Sequence, residues 1–217
     1  MKKIINYYNK VKYKNKKSYL PLHEPHISND DKKKILQCLN SGYVSTSGKD
    51  IQIFENKIKN FIKNKYVVST ISGTAALQIA LKVLGVKAND EVLLPSIAFV
   101  AAANAILYNF AQPHFVDSDK EHFGVCPKKL ENYLKKNTYI KKNKCINKKT
   151  KKIIKAIIIV HIFGHPAQIK LLVKIAKKFK IKVLEDAAEG LGSTFQNKHI
   201  GTFGDIGVLS FNGNKII

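Results

Sequence analysis

Residues 153–160 read Ile-Ile-Lys-Ala-Ile-Ile-Ile-Val, an apolar, β-branched run carrying a single charge. Such a run suits a strand buried on both faces, and strands of that kind belong to parallel sheets covered by helices on either side. The remaining sequence agrees with that architecture. Strands are predicted over 66–70, 91–94, 112–116, 153–160, 181–185 and 207–211, alternating with helices over 74–84, 98–108, 127–135 and 166–179. This alternation implies an α/β fold built on a mainly parallel sheet with helices on both faces.

Two helices precede the alternation. Ser28 caps the first, which runs to about Asn40 and stops at Gly42. The second covers 50–63 and places Ile51, Phe54, Ile58 and Ile62 on one face. Three segments fall outside the pattern. Residues 1–17, rich in Lys and Asn, read as a mobile tail, and 136–152 as a solvated surface insertion. Residues 193–200 read as a hairpin-like excursion.

The chain has 217 residues, 45% of them apolar, enough for one α/β domain or a domain plus a fragment. Its net charge of +23 raises the question of a nucleic-acid partner. However, all 38 basic residues are Lys. Arg, the side chain suited to bidentate phosphate and guanine contacts, is absent. The lysines are scattered, without interleaved aromatics. Together with plentiful Asn and Ile they indicate a compositional bias, which places nucleic-acid binding last among the readings. Cys38, Cys126 and Cys145 show neither metal spacing nor an even disulfide set. No stretch approaches a membrane span, and the first residues lack the apolar core of a secretory signal. A cytoplasmic protein with no metal, membrane or nucleic-acid partner is expected.

Four stations carry chemistry. Ser72-Gly73-Thr74-Ala75-Ala76-Leu77 lies between a strand and a helix, where backbone N–H groups and the helix dipole favour an anion; a plain capped helix is the alternative. Pro95-Ser96-Ile97-Ala98-Phe99 follows a strand end, where ligands of open α/β sheets gather. Phe99 there is either a stacking platform for a flat heterocycle or a core residue. In Glu185-Asp186-Ala187-Ala188-Glu189, an Asp closes an apolar strand, where a buried charge needs a partner. A protonated pyridine nitrogen would be one; a helix cap is the other reading. Finally, Ser210-Phe211-Asn212-Gly213-Asn214-Lys215 delivers a hydroxyl and then an amine.

These stations, together with His161-Ile162-Phe163-Gly164-His165-Pro166 and Gly201-Thr202-Phe203-Gly204-Asp205, resemble the DegT/DnrJ/EryC1/StrS family of sugar aminotransferases over residues 20–217. The resemblance implies the large domain of a type I enzyme dependent on pyridoxal 5'-phosphate (PLP), here over 18–217. It makes Lys215 the Schiff-base lysine and Asp186 the partner of the pyridine nitrogen. It sets Phe99 over the ring, Gly73, Thr74, Ala75 and Ser210 around the phosphate, and Glu189 near the cofactor hydroxyl. The implied reaction takes an amino group from an amino acid, glutamate being the expected donor, to a keto-sugar nucleotide. The setting would be bacterial surface polysaccharide or nonulosonic acid biosynthesis, in a homodimer. The version Ser-Phe-Asn-Gly-Asn-Lys resembles the branch leading to legionaminic-acid-type sugars.

Two positions depart from the family: Glu189 stands where His or Gln is frequent, and Asn212 where His is. A PLP-dependent sugar dehydratase on the same scaffold is the rival enzyme, but that branch carries His at the position of Lys215. Members of the family continue into a smaller second domain, whereas this sequence ends two residues beyond Lys215. A fragment or an interrupted gene product lacking the small C-terminal domain is therefore expected, with an inactive remnant as the alternative to an active enzyme. His161 and His165 are either neighbours of the cofactor or turn residues. The loop Tyr43-Val44-Ser45-Thr46-Ser47-Gly48 is either a substrate-side loop or a linker, and His23 and His26 carry no motif.

Overall fold

The computed structural model describes residues 2–14, 25–45 and 48–216. Lys2–Lys14 forms helix α1, where an unstructured tail was expected. Helix α2 (Asn29–Ser41) starts in a capping box: Asp31 N–H donates to Ser28 Oγ at 3.2 Å, and Ser28 N–H donates to Asp31 Oδ2 at 2.7 Å. Gly42, at φ +74°, ends it in the left-handed conformation that glycine adopts without a Cβ penalty. Helix α3 (Lys49–Ile62) follows and buries Ile58 and Ile62.

The core then builds in strand–helix steps. Helix α4 (Gly73–Val83) leads to β1 (Glu91–Pro95), α5 (Val100–Tyr108), β2 (Gln112–Val116) and α6 (Pro127–Asn137). Strands β3 (Thr138–Lys141) and β4 (Lys144–Asn147) precede β5 (Ile153–Val160), α7 (Ile169–Lys178) and β6 (Lys182–Asp186). The two-residue strands β7 (Thr194–Phe195) and β8 (Lys198–His199) form a separate hairpin, and β9 (Ile206–Val208) closes the main sheet. In that sheet β2, β1, β5, β6 and β9 are all parallel, in that order. The order reverses between β1 and β5, and such a reversal opens a crevice at the carboxyl ends of the strands.

Side chains alternate between the two faces, as strand geometry requires. Val92, Leu94, Ala156, Ile158, Leu184 and Val208 pack with α4 and α5. Leu93, Ile157, Ile159 and Val183 pack with α6 and α7 on the other side. Each fully buried Leu or Ile contributes roughly 1.5–3 kcal/mol of transfer free energy. Both helical layers are thus anchored through the central strands. Among the described residues no helix is long and apolar enough to cross a membrane.

Two further expectations are corrected. Residues 66–70 form no strand; the Ser69 N–H and hydroxyl instead both donate to Glu55 Oε1, at 2.7 and 2.8 Å. The segment 136–152 is a β-hairpin rather than a solvated insertion, with β4 running antiparallel to the first residues of β5. Lys142 and Asn143 turn it with φ of +48° and +60°, the pattern of a tight two-residue hairpin loop. Its Thr138, Cys145 and Asn147 are buried, so the lysines hid a strand signal carried by the residues between them.

Candidate functional site

The site grows from the carboxyl rim of the parallel strands. Ser72 caps α4 by accepting the Ala75 N–H at 3.2 Å, so one of the N–H groups expected to face a phosphate is already partnered. Gly73 opens the helix against Ser210, just beyond β9. A Cβ at Gly73 would stand 3.3 Å from both Cβ and Oγ of Ser210. The absent side chain lets a helix N-terminus and a hydroxyl meet, with Thr74 next in line. This is a cradle for an anion. Phe211 packs edge-on against Phe54 of α3, 4.9 Å between ring centres, and fixes the segment that carries Ser210.

At the end of β6 the two-residue period sends neighbouring carboxylates to opposite faces. Glu185 is fully buried and saturated. It accepts hydrogen bonds from His161 Nε2 (3.1 Å), Gly201 N–H (2.9 Å), and the N–H groups of Phe203 and Gly204 (2.6 Å each). Burial pushes this carboxyl up, but the bonds from His161, Gly204 and Gly201 outweigh it and hold the group below the usual carboxylate range. His161 Nδ1 accepts the Ala167 N–H at 3.1 Å, so both ring nitrogens are engaged in holding the fold. Sequence reasoning missed Glu185 as a hub. Its signal lay in the glycine-bearing stretch 201–204, whose backbone donors converge on it.

Asp186 faces the other way, toward α4, and its Oδ1 accepts the Ala188 N–H at 3.2 Å. Burial raises its carboxyl above the ordinary value against the Ala188 bond and the nearby His161 and Lys215, and Glu189 adds to the rise. A buried carboxyl in this state would gain from a cation placed against it.

Lys215 projects from a turn closed by its own N–H to Asn212 C=O at 2.8 Å. Its Nζ donates to Glu189 Oε1 at 2.8 Å and lies 5.7 Å from the ring centre of Phe99. Phe99 ends the loop after β1 as the cap of α5 and is 72% exposed, so it is not part of the core. Glu189 is fixed from behind. Gly164, at φ +76°, approaches so closely that a Cβ there would stand 2.4 Å from the Glu189 carbonyl oxygen.

The structure therefore brings together Gly73 and Ser210 in one cluster and Lys215, Glu189 and Phe99 in another, with Asp186 beside Lys215. His165 and His26 are exposed and join neither. His23, Thr46 and Ser47 lie outside the described residues. An anion cradle, an aromatic face, a buried carboxyl in need of a cation and a primary amine fit the phosphate, ring, ring nitrogen and aldehyde of PLP.

Comparison with known proteins agrees. The sequence profile of the DegT/DnrJ/EryC1/StrS aminotransferase family matches residues 25–217, and PLP is that family's cofactor. The GDP-perosamine synthase of Escherichia coli O157:H7 is 37% identical over 92% of this chain and 50% of its own length. The 3-oxo-glucose-6-phosphate:glutamate aminotransferase of Bacillus subtilis (strain 168) is 32% identical over 96% and 43%. The PLP-form structure of Spr1654 from Streptococcus pneumoniae superposes with a TM-score of 0.76 at 26% identity, over 90% of this chain and 50% of its own. The chain spans about half the length of the curated relatives it matches.

Proposed function

Because the chain belongs to the DegT/DnrJ/EryC1/StrS aminotransferase family, we propose that it is the cofactor-binding part of an enzyme that aminates a keto-sugar nucleotide. Glutamate is the proposed amino donor, and the product would serve bacterial surface polysaccharide or nonulosonic acid synthesis in the cytoplasm. The observation that carries this reading is the Lys215 amine, held over the Phe99 ring beside the buried Asp186.

PLP, when bound, supplies an aldehyde for that amine and an electron-withdrawing ring. The chain's own residues do the rest. Gly73, Thr74 and Ser210 would hold the phosphate against the start of α4, with the Ala75 N–H given to Ser72 Oγ. Asp186 keeps the ring nitrogen protonated through a charge-assisted hydrogen bond, a contact of roughly 1.5–3 kcal/mol. Phe99 covers one ring face. Lys215 would hold the cofactor through its Nζ and, as a free amine, would be the group placed to take and return a proton beside it.

Support for the substrate class comes from the names of the relatives: one makes a GDP-linked amino sugar and another takes its nitrogen from glutamate. A homodimer is part of the proposal. Exposed Ile79, Val83, Leu107 and Phe110 along α4, α5 and the turn into β2 offer apolar surface for it.

Borohydride reduction of the yellow, PLP-loaded protein tests the reading. The label is expected on Lys215, and Lys215→Ala protein is expected to be colourless. A coloured Lys215→Ala variant, or a label on another lysine, would overturn it. Adding glutamate before reduction should bleach the visible band, and indifference to glutamate would remove it as donor.

A further inference from the structure

An amine that captures an aldehyde must first give up a proton, and the aldehyde oxygen must later receive two. Lys215 has one carboxylate within hydrogen-bond reach of its Nζ, that of Glu189 at 2.8 Å. Asp186 is close enough to sense the charge of Lys215, but no hydrogen bond joins the two, and its carboxyl is nearly buried. Glu189 is about 37% exposed at its side chain and Lys215 about 17%, so water reaches the pair. The Glu189 backbone is held in place: the side-chain-free Gly164 lets a neighbouring turn lie close to its carbonyl, and the Gly190 N–H bonds Ala187 C=O at 2.8 Å. The carboxylate is thus anchored at its root while its tip reaches both Lys215 and water.

Resting on the reading above, we propose that Glu189 is the proton carrier for loading Lys215 with its cofactor. The Lys215 ammonium passes one proton to the Glu189 carboxylate. The freed amine adds to the aldehyde carbon, a C–N bond forming as the carbonyl π bond opens onto oxygen. One nitrogen proton then moves to that oxygen, and Glu189 returns its own proton to make a second O–H bond. Water leaves as the C–O bond breaks, the new linkage retains one N–H with its positive charge, and Glu189 is a carboxylate again. Nothing is oxidised or reduced. Glutamate suits this work: a carboxylate paired to the ammonium at 2.8 Å is in place to take its proton and return it, which an amide at this position could not do.

The test strips the holoenzyme of PLP and measures the second-order rate of reloading with PLP by visible absorbance, with borohydride trapping to confirm Lys215. Glu189→Gln and Glu189→Ala are expected to slow loading by about 10²-fold or more while reaching the same final stoichiometry. Added formate should restore the rate of Glu189→Ala in proportion to its concentration, and Glu189→Asp should recover part of it. A merely structural side chain would not respond to formate. Wild-type loading rates in either variant, slow loading indifferent to formate, or variants that lose their fold would each overturn the assignment. Absence of any PLP on Lys215 in the unsubstituted protein would instead bring down the proposed function itself, and this role with it.

Discussion

Two acidic clusters sit at opposite ends of the same sheet, and they are finished to different degrees. At the amino end, Glu91 is buried and accepts from Thr150 Oγ1 (2.6 Å) and Asn147 Nδ2 (2.9 Å), with His114 Nδ1 at 2.9 Å. Burial pushes its carboxyl up, and the bonds from Thr150, Asn147 and His114 bring it below its usual range. At the carboxyl end, Asp186 is buried as deeply, takes one backbone N–H and stays raised. The first cluster is saturated by its own fold and ties β1, β2 and the β3–β4 hairpin together. The second is held open, and openness in a buried carboxyl is where a ligand has something to add. Glu185, one residue away from Asp186, belongs with Glu91 by this criterion.

The contrast breaks most sharply at Glu185. Replacing it by Ala strands His161 Nε2 and three backbone N–H groups, and should cost about 3–5 kcal/mol, as for breaking a buried pair. Urea unfolding measures it, and a loss under 1 kcal/mol would show that the hub is not a hub. Asp186→Asn should leave the fold and much of the PLP in place yet lower turnover by about 10²–10³-fold, the scale of one preorganised electrostatic contact. Turnover close to that of the unsubstituted enzyme would end the ring-nitrogen role. Asn147→Ala at the opposite end should cost only about 1–3 kcal/mol, the desolvation of an acceptor left one bond short, with PLP retention untouched.

The smallest effect is one of sign. Asp186 has a raised folded value, so its contribution favours folding most at acid pH and fades as pH climbs through that value; Glu185, being lowered, does the reverse. In PLP-free protein, Asp186→Asn should therefore be the more stable form at neutral pH, with the gap closing as pH falls below the ordinary carboxylate range. A gap that widens on acidification would place Asp186 with the saturated group.

Much of this was legible in the sequence, for reasons that can be named. The run Ile153–Val160 announced a doubly covered strand because it is short, apolar and rich in β-branched residues, which pack well on a pleated surface. Asp186 stood out because a charge closing an apolar strand is costly, and Ser72 and Gly73 because caps and close approaches use few residue types. The hairpin was lost because its signal rests on Thr138, Cys145 and Ile146, small and scattered among lysines that point to solvent. The pairing of Glu189 with Lys215 was beyond reach, since one lysine among 38 has no signature until a turn aims it. The missing strand at 66–70 failed for a simpler reason: a side chain, Glu55, took the hydrogen bonds a neighbouring strand would have used.

The contact between Gly73 and Ser210 has a consequence for how the protein is made. It joins the first turn of the parallel-sheet region to nearly the last residues described, so the interval between them must be synthesised and folded before the cradle exists. Long-range closures of this kind form late and slowly, because the loop entropy is lost before the contact returns anything. A ligand gripped between the two ends binds only the closed form and draws the chain into it by mass action, by about 2.7 kcal/mol at a concentration one hundred times its dissociation constant. The supply of that ligand would then govern how much of the newly made chain survives quality control.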